Sequence, residues 1–238
     1  MNTFVLVHGA WHGGWCWRRV YEQLTIQGHQ VFTPTLTGLG ERAHLLSRQI
    51  NLDTHITDVI SLLEMEELKN VILCGHSYAG CVITGVADGM SERLKALVYL
   101  DAFIPEHGKS QRELIPEDRR GAMDHVAKTK GEGWYIPPRN AKSFQVQSEA
   151  DRDWVDRRCV PHPYATFSQP ISLSGQWETV ATKLYLRAAN YNPTPFTPFS
   201  TRVKNDPTWL YEEIDAGHDV MIDNPTALVG ALLRAANN

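Results

Sequence analysis

The chain has 238 residues, 42% hydrophobic and 21% charged, with a formal net charge of -4. That length fits one large domain that buries its core without disulfide or metal staples. Acids and bases are mixed with no basic stripe for nucleic acid, and no apolar run reaches the roughly 18 residues of a membrane span.

In chain order, Phe4 to Val7 is the first apolar run and stops at His8-Gly9. It is too short for a secretory leader core and lacks a basic stretch before it and a cleavage site after it, so the expected location is cytoplasmic. Further runs follow at Gln30 to Pro34, Asn70 to Cys74, Leu94 to Leu100, Lys183 to Arg187 and Trp209 to Ile214. Continuous apolar runs of this length suit strands covered on both faces of a parallel sheet. Helical spacing lies between them, over Trp17 to Gln27 with Gly28 as its stop, and over Leu52 to Leu68 with Asp53 as N-cap. It recurs over Ala79 to Met90 and over Pro225 to Ala236, where Pro225 suits a first turn. Alternating strand and helix predict a parallel α/β sheet.

The stretch 103–176 breaks the alternation, with charged helical segments, the loop Trp134-Tyr135-Ile136-Pro137-Pro138 and no clear strand. A structureless segment of that length is uncommon inside a domain, and this one is rich in aromatic residues. It is read as a helical cap inserted into a single domain spanning 1–238. Cys16, Cys74, Cys81 and Cys159 are scattered with no CxxC pair, which suits free thiols in a reducing compartment.

Chemistry concentrates at Gly75-His76-Ser77-Tyr78-Ala79-Gly80, a G-x-S-x-G between an apolar run and a small-residue helix. A strand, a sharp turn and a helix are what a nucleophile elbow needs, because the turn lifts the serine oxygen above the sheet. The alternative is an ordinary glycine-flanked turn with a solvated serine. A free hydroxyl is a poor nucleophile at neutral pH, so Ser77 needs a base. His218 is the candidate, since it follows the last predicted strand and precedes the last helix, next to Gly217 and Asp219. Backbone N–H groups of Tyr78, just after the nucleophile, and of Ala10, after the first strand, are the expected oxyanion donors. Among the other histidines, His8 is expected to shape the first loop and His76 to pack beside the elbow. His29, His44 and His55 are read as surface residues.

Three segments together resemble a known family. They are Val7-His8-Gly9-Ala10-Trp11-His12-Gly13-Gly14-Trp15, Gly75-His76-Ser77-Tyr78-Ala79-Gly80 and Gly217-His218-Asp219-Val220-Met221. They are similar to the plant methyl esterase and hydroxynitrile lyase branch of the α/β-hydrolases, and more closely to its bacterial esterase-like relatives. The resemblance implies an α/β-hydrolase fold, a mainly parallel central sheet flanked by helices, with the cap after the strand that follows the nucleophile strand. Nothing in the sequence marks a metal site, an ester hydrolase of this kind needs no cofactor and takes a small-molecule substrate, and monomer or homodimer both stay open, since the cap or an edge helix could carry a dimer contact.

Two departures matter. The nitrile lyases carry a threonine two residues beyond the His-Gly pair and a lysine after the catalytic histidine, whereas this chain has Trp11 and Asp219. Without that cation, ester hydrolysis is favoured over lyase chemistry. The family also places its triad acid in the loop after the strand at Lys183 to Arg187, but residues 188–195 hold no carboxylate. Asp101 ends the strand next after the nucleophile strand, where active-site groups of open α/β sheets gather. It is the expected acid, with a plain turn cap as the alternative. Trp11, His12, Phe103, Trp134 and Tyr135, with Tyr78, are expected to line a pocket for a small hydrophobic or aromatic ester. A lactone, amide or C–C hydrolase with the same machinery, and a non-catalytic small-molecule binder, are the competing readings.

Overall fold

The computed structural model describes residues 1–237, so Asn238, the last residue of the expected 1–238 domain, lies outside it. Six strands form one sheet: β1 (Thr3–Val7), β2 (Gln30–Phe32), β3 (Val71–His76), β4 (Leu94–Leu100), then β7 (Thr182–Ala188) and β8 (Leu210–Ile214). Their order is β2-β1-β3-β4-β7-β8, and every neighbouring pair is parallel. The central strands β3 and β4 are buried at every position but Lys95, as their runs rich in Val, Leu and Ile require. The three-residue β2 sits at one edge and is only partly covered.

Helices α1 (Arg18–Ile26), α2 (Leu52–Met65) and α3 (Ala79–Met90) connect the first four strands. The step from β1 to β2 runs one way across the sheet, and the steps through α2 and α3 run the other way. Right-handed crossovers in opposite directions lie on opposite faces. The reversal between β1 and β3 makes a crevice at the C-terminal ends of those strands, where open α/β sheets bind ligands. Ala10 follows β1 and Ser77 follows β3, so both stand at that crevice.

The N-terminus of α2 corrects one expectation. Its cap is Asn51, whose Oδ1 accepts from the Thr54 N–H at 3.0 Å, while Thr54 Oγ1 accepts from the Asn51 N–H. Asp53 stands one residue inside the helix and pairs with Gln169. The segment between β4 and β7 corrects another. Beside α4 (Glu117–Lys130), α5 (Glu149–Asp156) and α6 (Ala165–Ser168) it holds two strands, β5 (Tyr135–Ile136) and β6 (His162–Pro163), paired antiparallel. Two residues each are too few for alternation to register in a sequence. The chain closes with α7 (Thr197–Lys204), α8 (Val220–Asp223) and α9 (Pro225–Asn237).

Gly80 opens α3 against the backbone that follows β4. A Cβ there would lie 2.0 Å from the Phe103 carbonyl oxygen, with the Phe103 carbonyl carbon and Ala102 Cβ close behind. Backbone cannot swing aside as a side chain can, so Gly80→Ala is expected to destabilise the fold by about 3 kcal/mol. Denaturant midpoints of the two proteins measure this, and equal midpoints would mean that α3 shifts freely.

Candidate active site

The elbow has the backbone such a turn needs. Ser77 has φ 57°, a left-handed conformation rare for a side-chain-bearing residue. It is held on both sides: its N–H donates to Leu100 O at 3.1 Å, and its carbonyl accepts from Gly80 and Phe103 N–H at 3.2 Å. A Cβ at Gly75 would meet Ala79 O at 2.7 Å, which is why glycine opens the motif. Ser77 is partly exposed, whereas Tyr78 beside it is buried. Among the described residues, no hydrogen bond occupies the backbone N–H of Tyr78 or of Ala10.

His218 and Asp101 meet although 117 residues separate them: His218 Nδ1 lies 2.7 Å from Asp101 Oδ2. Asp101 is fully buried and His218 is 4% exposed. A carboxylate can only accept, so Nδ1 carries the proton and Nε2 has the free lone pair. His218 is clamped by aromatic rings, stacked on Tyr191 at 4.6 Å and on Phe196 at 5.2 Å, with Phe144 at 5.9 Å. Its carbonyl accepts from His76 Nε2 at 3.0 Å, and its N–H donates to Phe144 O at 2.9 Å.

Asp101 has a second partner that the sequence reading missed. Arg187, 7% exposed at the end of β7, donates from Nη1 to Asp101 Oδ1 at 2.6 Å. The same guanidinium bonds the Ala188 carbonyl and, from Nη2, the Tyr191 carbonyl at 2.8 Å. It therefore joins the carboxylate to the loop that stacks Tyr191 on His218. An arginine at the C-terminal end of the run, after Leu184-Tyr185-Leu186, was the available signal. The family's usual acid loop is occupied otherwise, with Asn190 donating to Asp215 at 2.6 Å.

The expected pocket residues divide. Trp11 is partly exposed, with its indole N–H on Ile136 O at 3.1 Å and its ring against Phe144 and Phe167. Phe103 is buried against Phe196 and Phe199. Trp134 packs on Tyr135, bonds Glu132 and lies under Arg48. No recorded contact among the described residues links Trp134 or Tyr135 to Ser77, His218 or Asp101. His12 is only 1% exposed and backs the site, bonded to Asp219.

His55 corrects a surface expectation. It is fully buried, donating from Nε2 to Thr37 O at 2.9 Å and accepting the Tyr78 hydroxyl at Nδ1, also at 2.9 Å. Burial, offset in part by the Thr37 bond, lowers its pKa to about 4. His8 shapes the first loop as expected, bonded to Gly9 O and accepting from Leu36 N–H.

A family model described as the alpha/beta hydrolase family matches residues 4–231. The chain belongs to the α/β hydrolase family. It is 44% identical to a carbendazim hydrolyzing esterase of Nocardioides sp., over 98% of each chain. It is 26% identical to a pFDCC methylesterase of Arabidopsis thaliana, over 98% of this chain and 94% of that one. Among solved structures, an extracellular α/β-hydrolase from a Paenibacillus species superposes with a TM-score of 0.88 at 23% identity, covering both chains fully. That likeness establishes the shared fold. No helix among the described residues is long and apolar enough to cross a membrane.

Proposed function

We propose that this protein cleaves a small, hydrophobic or aromatic carboxylic ester through an acyl-enzyme on Ser77. With an esterase relative aligned over 98% of both chains and a family match over residues 4–231, the chain is a carboxylic ester hydrolase. The observation that carries the finer reading is the 2.7 Å contact of His218 Nδ1 with Asp101, together with the φ of 57° at Ser77.

In this reading Asp101 fixes the His218 tautomer, so Nε2 takes the Ser77 proton as the oxygen attacks the ester carbonyl. The N–H groups of Ala10 and Tyr78 receive the developing oxyanion. His218 then returns the proton to the leaving alcohol, and a water activated by the same nitrogen releases the acid. The segment 103–176 acts as the cap, reaching the base through the Phe144 carbonyl and Trp11 through the Ile136 carbonyl. The aromatic residues around His218 favour an apolar substrate.

The receptor reading drew its support from a loop 188–195 without a carboxylate, and the Asp101–His218 hydrogen bond weakens that ground. Hydrolysis of short-chain nitrophenyl esters, with carbendazim as a second substrate, tests the proposal. Turnover by the wild type and none by Ser77→Ala, together with fluorophosphonate labelling of the wild type alone, is the expected result. Equal turnover by both proteins would remove Ser77 as nucleophile.

A further inference from the structure

The turn bearing Ala10 and the turn bearing His218 are joined by a buried contact that the reaction above does not use. His12 Nδ1 lies 2.7 Å from Ala10 O, and a carbonyl only accepts, so that nitrogen carries a hydrogen. His12 Nε2 lies 3.2 Å from Asp219 Oδ2, another acceptor, so it carries one as well. An imidazole with both hydrogens is a cation. Burial works against charge on His12, but the charge and hydrogen bond of Asp219, with the Ala10 bond, raise its pKa above the ordinary value. Burial likewise works against ionised Asp219, but the charge and hydrogen bond of His12 hold it at about 2.

No neighbour can substitute for His12. Asp219 Oδ1 has no hydrogen-bond partner among the described residues. The ring of His76 is the next donor, at 3.9 Å, and its Nε2 is already bonded to His218 O. Burial first, then the charge of His218, holds the His76 pKa well below the ordinary value, so His76 adds no second cation. The other titratable groups that sense the pair are His8 and His162 on the His12 side, and Cys16, Cys159, Tyr191 and Asp223 on the Asp219 side. None of their side chains bonds either partner; Asp223 meets Asp219 only through its backbone N–H, which donates to the Asp219 carbonyl at 3.0 Å. Trp15 stacks on His12 at 5.2 Å and Phe144 flanks it at 5.6 Å, so apolar rings close the remaining sides.

We propose, on the serine-hydrolase reading above, that His12 and Asp219 are positioning residues whose ion pair latches the Ala10 turn to the His218 turn. Both ends are close to the chemistry. His12 holds the carbonyl of the residue whose N–H receives the oxyanion, and Asp219 is the residue after the base. An oxyanion donor works only within about 2.7–3.1 Å of the oxygen it stabilises. Slack in the latch moves donor and base relative to each other, and that loss falls on the transition state and not on substrate binding.

The test uses the full chain, a short nitrophenyl ester and active-site titration with a fluorophosphonate, so that kcat is counted per reactive Ser77. His12→Gln and Asp219→Asn are each expected to lower kcat about 10- to 100-fold while KM changes little. The double variant should be no worse than the poorer single one, because a latch breaks only once. In the wild type kcat should fall at alkaline pH, as His12 loses its Nε2 proton and turns a lone pair toward Asp219. That limb should be absent from His12→Gln. A residue that merely supports folding would change the number of titratable sites and leave kcat per site and its pH profile alone. Unchanged kcat per site in both single variants, or losses that multiply in the double variant, would overturn the latch. If Asp219→Asn does not fold, His12→Gln decides by the same readouts. Full turnover by Ser77→Ala in the same series would instead overturn the reading on which the latch rests.

Discussion

Asp101→Asn is expected to lower kcat by about 10,000-fold, as a wrong partner does in a related triad. The surroundings of Asp101 determine how the amide would sit. Arg187 Nη1 and the Ala188 N–H both point donors at Oδ1, so the asparagine must turn its oxygen toward them. Its NH2 then faces His218 Nδ1, where the carboxylate oxygen had been. Nδ1 becomes an acceptor and the ring proton moves to Nε2, so that in the proposed mechanism His218 no longer takes a proton from Ser77. Arg187 thereby enforces the wrong tautomer. Steady-state hydrolysis per folded molecule checks this, and a loss smaller than tenfold would take Asp101 out of the mechanism. The substitution also leaves a buried guanidinium without its counter-charge, which destabilises by about 3–5 kcal/mol. A drop in melting temperature should therefore accompany the loss of rate.

Acid is expected to unfold the protein between about pH 3.5 and 5.5. Four fully buried histidines are responsible. Burial, only partly offset by the Gly9 and Thr37 carbonyl bonds, holds His8 at about 3 and His55 at about 4. Burial also holds His76 and His162 well below the ordinary value. In the unfolded chain each titrates near 6.5. Because the folded values are lower, the unfolded state binds more protons below 6.5. Stability is then intact above that pH and is lost as pH falls toward the folded values. Each such histidine changes stability by about 1.4 kcal/mol per pH unit, so four change it by about 5. A typical reserve of about 5–15 kcal/mol is exhausted one to three units below 6.5. Asp219 adds to the loss only below about pH 4, as protons begin to compete with its ion pair. His12 has the opposite sign: its pair stabilises fully below the unfolded value, and this is lost as pH rises through its raised folded pKa. Denaturant unfolding from pH 8 to 4 measures the slope. His8→Asn, which keeps a donor and an acceptor, should flatten it by about one proton. A constant stability from pH 7 to 5 would mean that these rings are charged inside the fold.

Much of this molecule is legible before any coordinates. The six strands of the main sheet and the helices over Ala79 to Met90 and Pro225 onward fall where apolar runs and glycine turns predict them; the signature is plainest in the covered strands β1, β3, β4 and β7 and weaker in the half-covered edge strands β2 and β8. The site is legible where the backbone itself imposes the motif, as at Gly75 to Gly80. It is less so where function depends on pairs distant in the chain. Nothing in Arg187 announces Asp101, 86 residues away, except a charge at the buried end of a strand. His12 and Asp219 are 207 residues apart and read singly as a pocket histidine and a missing lysine. His55 is different, because its position was available: it shares the buried face of α2 with Leu52, Val59 and Leu63 at helical spacing. Residue polarity outweighed periodicity in that reading, and periodicity was the better guide.

The last helix has a bearing on how the chain is made. The 13 residues of α9 pack on α1 and on strands β3, β4, β7 and β8. Until they leave the ribosome, one face of the sheet has no cover beside α1, and its apolar side chains stay open to other nascent chains. Translation at about 5–20 residues per second prolongs that exposure over the synthesis of everything between β4 and α9. The turn bearing His218 emerges just before that helix, so the proposed base and the cover of this face arrive together.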